Sequence, residues 1–267
     1  MIREIFPGFT WIQECGPNRR SFVARWSETG SDWYTAGREV HVPQNAYLFR
    51  GERTLLFDTL SPLSGDNVAG VCRRALEGRD LDYLVVSHPD VPHAGNTMKL
   101  LRAFPEATLV APAVGEVHAL YHLEDATKMG PDDEIDLGGF TIRFHEATFL
   151  DAAMSIWLSE EEHRILLPVD WLGFPHMDGE CLRCVDEIDS EITVSRLTEF
   201  HGRVMFWFQY VDVEKVNADV DRLSERFGSY TIAPSHGLPI RENAAEYMRR
   251  MKEVTRRVAD HGRLGVL

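Results

Sequence analysis

A short apolar stretch that runs directly into a loop of metal-binding residue types restricts the fold of this chain more than any other feature. Residues 81–87 (LDYLVVS) are mostly apolar and end just before a proline at position 89, which predicts a short buried strand. The loop that follows, SHPDVPHAGN, contains His88, Asp90 and His93 within six residues. Because a loop that leaves a buried strand can turn several side chains toward one point, this spacing predicts a metal site.

Three further residues of metal-binding type stand where a predicted strand ends. Asp151 follows the apolar residues 147–150, Asp170 ends the segment ILLPVD, and His236 lies in IAPSHG. Each of them alone could equally be a capping or turn residue. Their occurrence together in a chain that already contains HPDVPH favours metal ligation.

The predicted elements alternate between β and α in both halves of the chain, which is typical of a layered α/β fold. In the first half, residues 45–49 and 53–57 predict a hairpin across Gly51. The other elements predicted there are helices over 66–76, from about 96, and over 114–121, with a strand over 107–111. The second half predicts strands over 140–146, 154–158, 164–168 and 230–233, and helices over 191–208, 213–227 and 241–258. Since no repeat or linker-like tract occurs, residues 1–267 are predicted to form a single domain.

Charge and composition exclude several classes of partner. The formal net charge of −14 argues against binding to nucleic acid or to an anionic membrane surface. The N-terminus lacks the pattern of a signal peptide, and no stretch has the roughly 18 apolar residues of a membrane span. Four cysteines in a chain of 267 residues do not suggest a disulfide framework. A cytoplasmic protein is therefore expected.

The segments with metal-binding residues resemble the metallo-β-lactamase superfamily, whose signature is HxHxDH followed by a His, a bridging Asp and a final His. Within it, the chain is similar to the diiron domain of flavodiiron proteins, in the segments NAYLFRGERTLLFDTL, SHPDVPHAGN, LLPVDWLGF and IAPSHGLPIR. The resemblance extends from about Asn45 to Arg241. It implies an αββα sandwich, in which two facing mixed sheets are flanked by helices and the metals lie at one edge of the sheets.

The resemblance also implies a set of ligands for two metals. Asp170 matches the bridging carboxylate, and Asp170 and His236 are the expected catalytic residues. Asp90 stands where the hydrolases have His and the flavodiiron proteins have Glu. The implied ligands are His88, Asp90, His93, Asp151, Asp170 and His236.

Two positions depart from the family pattern. Asp151 falls where both branches have His, and 18 residues separate it from Asp170. If that placement is wrong, His145 is the substitute ligand. Pro92 occupies the position of the motif's Asp, and a proline side chain cannot bind a metal. The second metal would then have only His93, His236 and a share of Asp170.

The ligand charges favour iron or manganese over zinc, because three carboxylates and a bridging hydroxide would neutralise two divalent ions. The resemblance implies an oxidoreductase or oxygen-binding protein with two iron ions, acting on dioxygen, nitric oxide or a small organic substrate. Electrons would come from a separate protein or from the substrate. No flavin is expected within this chain, which ends about 30 residues after His236. A homodimer or higher homo-oligomer is expected.

Two alternatives stay open at this point. One is a metal-dependent hydrolase of an ester, lactone, amide or thioester, in which a bridging hydroxide attacks the substrate. The other is a degenerate family member that binds one metal or none.

Other cysteines and histidines carry weaker signals. Cys181 and Cys184 form one CxxC, which cannot by itself close a four-ligand metal site, although an exposed redox dithiol is an alternative. His118 and His122 could share a helix face, but they have no carboxylate partner nearby in the sequence. His41 and His176 have no supporting context in the sequence.

Overall fold

The computed structural model describes residues 1–15, 41–62, 68–113, 125–152 and 154–261. The helix predicted over 114–121 lies outside these residues, as do His118 and His122. The chain forms two mixed sheets, of seven and five strands, flanked by helices, which confirms the predicted α/β class. Its contacts divide it into two compact units. The first comprises 1–15, 44–147 and 152–162, and the second comprises 16–43, 148–151 and 163–267.

The first unit contains a seven-stranded sheet whose strands lie in chain order. These strands are β1 (Ile2–Phe6), β2 (Phe9–Glu14), β3 (Gln44–Arg50), β4 (Thr54–Phe57), β5 (Tyr83–Val85), β6 (Thr108–Pro112) and β7 (Thr127–Met129). Strands β1 to β4 pair antiparallel, and β4 to β7 pair parallel. The predicted hairpin across Gly51 is confirmed, with Tyr47 opposite Phe57.

Helices cover one face of this sheet. They are α1 (Val68–Leu76), α2 (Val91–Ala94) and α3 (Thr97–Ala103). Because side chains alternate along a strand, Leu48, Leu56 and Leu84 all point to the same side, where they join a buried cluster with Leu76 of α1 and Leu100 of α3. Strand β4 is buried along its whole length, as expected for a central strand covered on both faces.

Three antiparallel strands complete the first unit: β8 (Glu134–Asp136), β9 (Thr141–Glu146) and β10 (Ile156–Glu160). Phe140, just before β9, meets Phe49 of β3 edge to face at 5.6 Å between ring centroids. This aromatic contact lies on the face of the seven-stranded sheet that the helices leave uncovered, because Phe49 alternates with Leu48.

The second unit pairs two short parallel strands, β11 (Ile165–Leu167) and β12 (Thr231–Ile232), and adds three helices. The helices are α4 (Val194–Val204), α5 (Val213–Phe227) and α6 (Ala244–His261). Helix α5 has the predicted bounds because Asp212 accepts hydrogen bonds from the backbone of Glu214 and Lys215 and Gly228 follows its last residue. Its buried residues lie at helical spacing: Val216, Asn217, Val220, Leu223 and Phe227.

Several elements differ from the prediction. The N-terminal hairpin of β1 and β2 was not predicted, although its turn at Pro7-Gly8 is a typical turn dipeptide and Gly8 has a φ of +84°. The strand predicted over 81–87 is only three residues long, and helix α2 replaces part of the predicted loop. Strands β7 and β8 were also missed. In the parts of the chain that the structure describes, no helix is both long and apolar enough to cross a bilayer.

Candidate metal centre

In the first unit, the candidate residues lie at the carboxyl ends of two parallel strands. Asp58 follows β4 and His88 follows β5, and the Asp58 backbone N–H donates to the Val85 carbonyl at 2.8 Å. The Ser87 N–H donates to Asp58 Oδ1 at 2.9 Å. Side chains leaving neighbouring parallel strands at the same edge converge, which is why such edges form ligand sites in open α/β sheets.

His88 and His93 come together at this edge with fixed ring orientations. Both are buried, and their ring centroids lie 4.0 Å apart. His93 Nδ1 donates to Asp58 Oδ2 at 2.7 Å, and His88 Nδ1 is hydrogen-bonded to Ser87 Oγ at 3.1 Å. A carboxylate on Nδ1 fixes the histidine tautomer, so a metal would be bound by His93 Nε2.

Asp58 is a functional candidate that the sequence interpretation missed. Its side chain is fully buried, and its two oxygens separately accept from Ser87 N and His93 Nδ1. The sequence contained a pattern that could have identified Asp58, because TLLFD ends an apolar strand with a carboxylate in the same way as ILLPVD does. Asp58 is a positioning residue that orients His93.

The loop residues Asp90 and Pro92 take positions at the start of helix α2. Asp90 occupies the N-cap position without a side-chain capping bond, and its Oδ2 lies 3.9 Å from His88 Nε2 while the side chain stays 61% exposed. Pro92 lies in the first turn of α2, where a missing N–H costs nothing. The first turn thus explains why a proline is tolerated at this position of the motif.

In the second unit, Asp170 and His236 lie side by side after two parallel strands. Asp170 follows β11, His236 follows β12, and the Ser235 N–H donates to the Val169 carbonyl at 2.7 Å. Asp170 Oδ1 lies 3.2 Å from His236 Nε2. His236 Nδ1 donates to the Pro43 carbonyl at 2.6 Å, so His236 would also bind a metal through Nε2.

Strained backbone conformations occur next to these residues. Asp58 has a φ of +67°, and Val169 and Leu172, on either side of Asp170, have φ values of +55° and +65°. A left-handed conformation is a genuine outlier for a β-branched residue such as Val169. Strain of this kind persists where the surroundings enforce it and occurs often at functional sites. Gly237, next to His236, also has a positive φ, of +103°, which a glycine adopts without strain because it has no side chain.

Asp151 and its substitute differ in their surroundings. Asp151 is half-buried after Leu150, whose carbonyl accepts from Trp207 Nε1 at 2.8 Å. His145 lies within β9, where Nε2 donates to Ser159 Oγ at 2.7 Å, and Ser159 in turn donates to Glu161. These bonds make His145 part of a cross-strand network, which favours the packed role for it.

The donor set passes a chemical test for a metal. In each unit, imidazoles and carboxylates lie together near the ends of parallel strands. His93 and His236 each donate from Nδ1 to a protein oxygen, as metal-bound histidines do. This donor chemistry suits iron, manganese or zinc.

Comparison with known proteins identifies the family. The metallo-β-lactamase superfamily matches residues 41–176, which is half of the chain. The chain belongs to this superfamily. Its relatives include a nitric oxide reductase from Moorella thermoacetica, 26% identical over 198 residues that cover 73% of this chain and 48% of the relative. The chain is also 28% identical to the rubredoxin-oxygen oxidoreductase of Megalodesulfovibrio gigas, over 67% of this chain and 45% of the relative.

A solved structure agrees with this placement. The rubredoxin oxygen:oxidoreductase from Desulfovibrio gigas matches with a TM-score of 0.74 at 19% identity, over 98% of this chain and 61% of that one. The superfamily member described here thus has the core fold of flavodiiron proteins, and the resemblance inferred from sequence is confirmed. The chain spans about half the length of the curated relatives it matches.

The cysteines do not form the dithiol considered above. Cys184 is buried and outside any disulfide, whereas Cys181 is disulfide-bonded. Cys181 instead lies beside two histidines: its Sγ is 3.4 Å from His41 Nδ1 and 3.5 Å from His176 Nε2. Neither histidine had supporting context in the sequence, since they lie 135 positions apart.

We predict that replacing Asp58 with asparagine lowers metal affinity about 10- to 100-fold, the usual effect of losing a residue that orients a ligand. The asparagine oxygen can still accept from Ser87, but its amide N–H₂ would face His93 Nδ1 and force the proton onto Nε2. A competition titration with a chelator measures the affinity. Asp82→Asn is the matched control, since Asp82 Oδ2 accepts from Thr54 N within the same sheet, at its other end. Wild-type affinity in a folded Asp58→Asn protein would show that His93 does not bind through Nε2.

We also predict an acid-sensitive loss of stability through His201. Its Nε2 accepts from the Leu172 N–H at 3.1 Å, and its Nδ1 donates to Leu197 O, so the ring must be neutral. Burial lowers the pKa of His201 to about 4, below the ordinary value of 6.5. Above pH 6.5 the ring is neutral in both the folded and the unfolded chain, so the folded state has its full stability. As the pH falls from 6.5 toward 4, the unfolded chain binds a proton that the buried ring does not. The free energy of unfolding therefore decreases by about 3 kcal/mol.

Urea unfolding at several pH values measures this effect. His201→Gln keeps an acceptor for Leu172 and should show a weaker dependence on pH. Some dependence should persist, because burial, His41 and Arg196 lower the pKa of His176 to about 3. If the free energy of unfolding of His201→Gln depends on pH as strongly as that of the wild type, His201 is not the source of the acid-induced loss of stability.

Proposed function

We propose that this chain is the diiron part of an oxidoreductase that acts on dioxygen or nitric oxide. The observation that carries the proposal is the donor set, in which three carboxylates accompany three imidazoles. Such a proportion of hard oxygen donors favours iron over zinc. The proposed ligands are His88, Asp90, His93, Asp151, Asp170 and His236. The names of the relatives support the same reaction class, since they include a nitric oxide reductase and a rubredoxin-oxygen oxidoreductase.

The protein's own residues would orient the ligands and balance the charge. Asp58 and the Pro43 carbonyl hold the Nδ1 protons of His93 and His236, so both rings present Nε2. Asp170 would bridge the two ions, and its buried carboxylate together with Asp90 and Asp151 would offset their positive charge. Bound iron would supply the one-electron chemistry needed to reduce dioxygen or nitric oxide.

Pro92 leads us to propose unequal affinities for the two ions. The site that contains His93, His236 and a share of Asp170 has one protein ligand fewer than the motif provides. We therefore expect it to fill after the other site and to keep more positions for water or substrate.

The partner and the cellular context belong to the same proposal. Electrons would come from a separate electron-transfer protein or from an organic substrate, with no flavin bound by the described residues. We further propose a cytoplasmic homodimer or higher homo-oligomer, in which residues 1–267 fold as one domain. The absence of a membrane-spanning helix among the described residues agrees with that location.

The test combines metal analysis with turnover. Protein from cells grown with iron should contain more iron than zinc, approaching two iron ions per chain after anaerobic loading. The iron-loaded protein, reduced with dithionite and a small redox mediator, should consume nitric oxide or dioxygen faster than the same protein loaded with zinc. The zinc form is the matched control because it keeps the fold and loses only the redox chemistry.

Two results would overturn the proposal. One is a zinc-loaded, iron-free protein that hydrolyses an ester or a lactone, which would favour the hydrolase alternative. The other is iron-loaded protein that consumes neither gas above the rate of the zinc form.

A further inference from the structure

A second cluster of metal-binding side chains lies in the second unit and is made by residues other than Asp170 and His236. His41 and His176 form an isolated antiparallel bridge, with N–H···O distances of 2.7 and 2.8 Å in the two directions. Both side chains are buried, and their ring centroids lie 5.5 Å apart. Cys181, five residues after His176, approaches both rings. Two rigidly paired histidines therefore share one cysteine.

The distances within this cluster match those between ligands of one zinc ion. Zinc binds sulfur at about 2.3 Å and imidazole nitrogen at about 2.0–2.1 Å, so a tetrahedral site separates S from N by about 3.6 Å. Cys181 Sγ lies 3.4 Å from His41 Nδ1 and 3.5 Å from His176 Nε2. The three ligand atoms all lie within 4.8 Å of one another. No large rearrangement would be needed for them to bind one ion.

The loop that carries His176 and Cys181 is fixed from outside the cluster. Arg196 of α4 donates to the Pro175 carbonyl from Nε and Nη2, at 3.2 and 3.1 Å, and pairs with Glu180 Oε2 at 3.0 Å. Glu180 Oε2 also accepts from the Met177 N–H at 2.7 Å. Since Arg196 and Glu180 are both buried, these charge-assisted bonds hold the loop in one conformation. A preorganised loop lowers the cost of binding an ion.

We propose that His41, His176 and Cys181 form a zinc site in the second unit, separate from the dinuclear centre. Cys181 is disulfide-bonded, so its thiol must first be released. A dithiol reductant converts the disulfide into two thiols and becomes a disulfide itself. Zinc then binds the Cys181 thiolate, whose proton is released, and water takes the fourth position. The disulfide is thus the oxidised, metal-free form of the site.

Such an ion would stabilise the segments that carry or hold Asp170 and His236, the diiron ligands proposed in this unit. His41 is two residues from Pro43, whose carbonyl holds His236, and His176 is six residues after Asp170. Binding at His41 and His176 would restrict both segments. The site would therefore have a structural role that depends on the thiol redox state.

Cobalt provides the test, because cobalt bound by thiolate shows a charge-transfer band that the oxygen and nitrogen ligands of the diiron site cannot produce. The full chain, treated with a dithiol and freed of metal by a chelator, is titrated with Co²⁺ under anaerobic conditions. We expect the thiolate band to reach the intensity of one thiolate-bound cobalt ion per chain, in addition to any cobalt at the dinuclear centre, and to vanish when zinc is added. Cys181→Ser should lose most of the band. Cys184→Ser, the other cysteine of the CxxC, should keep it.

A second measurement on the wild-type chain removes any dependence on folding of the variants. Under reducing conditions, zinc should protect Cys181 from iodoacetamide at least about tenfold, and a chelator should restore its reactivity. Burial raises the pKa of the Cys72 thiol to about 12, so Cys72 should stay unlabelled throughout. A thiolate band that persists in folded Cys181→Ser would overturn the proposal. So would equal labelling of Cys181 with and without zinc.

Discussion

Replacing Asp170 with alanine is expected to lower the metal content of the purified chain more than about tenfold, since even residues that only orient a ligand are worth 10- to 100-fold in affinity. Asp170 is 3% exposed, and its Oδ1 lies 3.2 Å from His236 Nε2. As the proposed bridge, it would contribute to both ions at once. Metal analysis of protein purified from iron-supplemented medium measures the effect.

The controls separate loss of metal from loss of fold. Asp178→Ala removes an exposed carboxylate from a turn of the same unit and should leave the metal content unchanged. His88→Ala, in the other unit, should lose about one of the two ions, because His88 is a proposed ligand of the first ion. If Asp170→Ala or His88→Ala stays folded by circular dichroism and keeps its full metal content, the ligand set is wrong.

Replacing Asp151 with alanine should remove about one of the two bound ions, whereas His145→Ala should remove none. Asp151 is proposed as a ligand of the first ion, and losing a direct ligand costs more than losing a residue that orients one. His145 instead donates to Ser159 Oγ across the β9–β10 pair. Its loss should lower the free energy of unfolding by about 1 kcal/mol without changing metal binding.

Metal analysis and urea unfolding on both variants distinguish the two residues. Loss of metal in His145→Ala, with wild-type content in Asp151→Ala, would transfer the ligand role to His145. Loss in both variants would mean that the cross-strand network of His145 supports the loop that carries Asp151.

Much of the second unit was predictable because local patterns and tertiary packing agree there. Helix α5 matched its predicted bounds, since Asp212 caps it, Gly228 follows it, and its apolar residues recur at helical spacing. The N-terminal hairpin was missed because β1 is only partly buried and its alternation between apolar and polar residues is weak. The strand predicted over 81–87 was too long, because residues 86 and 87 are buried although they lie beyond the hydrogen-bonded strand. An apolar run reports burial and so extends past the strand itself.

The candidate site was predictable only where a residue of metal-binding type ends an apolar strand in an obvious motif. His88, Asp170 and His236 met that condition, and His93 follows His88 in the same motif. The structure pairs them within their units as His88 with His93 and Asp170 with His236. Asp58 also ends an apolar strand, but a single carboxylate after a hairpin is not by itself a ligand motif. The ligand roles of all six residues stay predictions until the substitutions above are measured.

The sequence by itself determined the superfamily, the α/β class and the loops that carry metal-binding residues, because local spacing and apolar runs encode strand ends. Only the tertiary structure decided which atoms meet. The pairing of Asp58 with His93 joins residues 35 apart, and it depends on the parallel register of β4 and β5. The approach of Cys181 to His41 spans 140 residues. Such contacts follow from how strands and loops pack across the chain, and no local pattern records them.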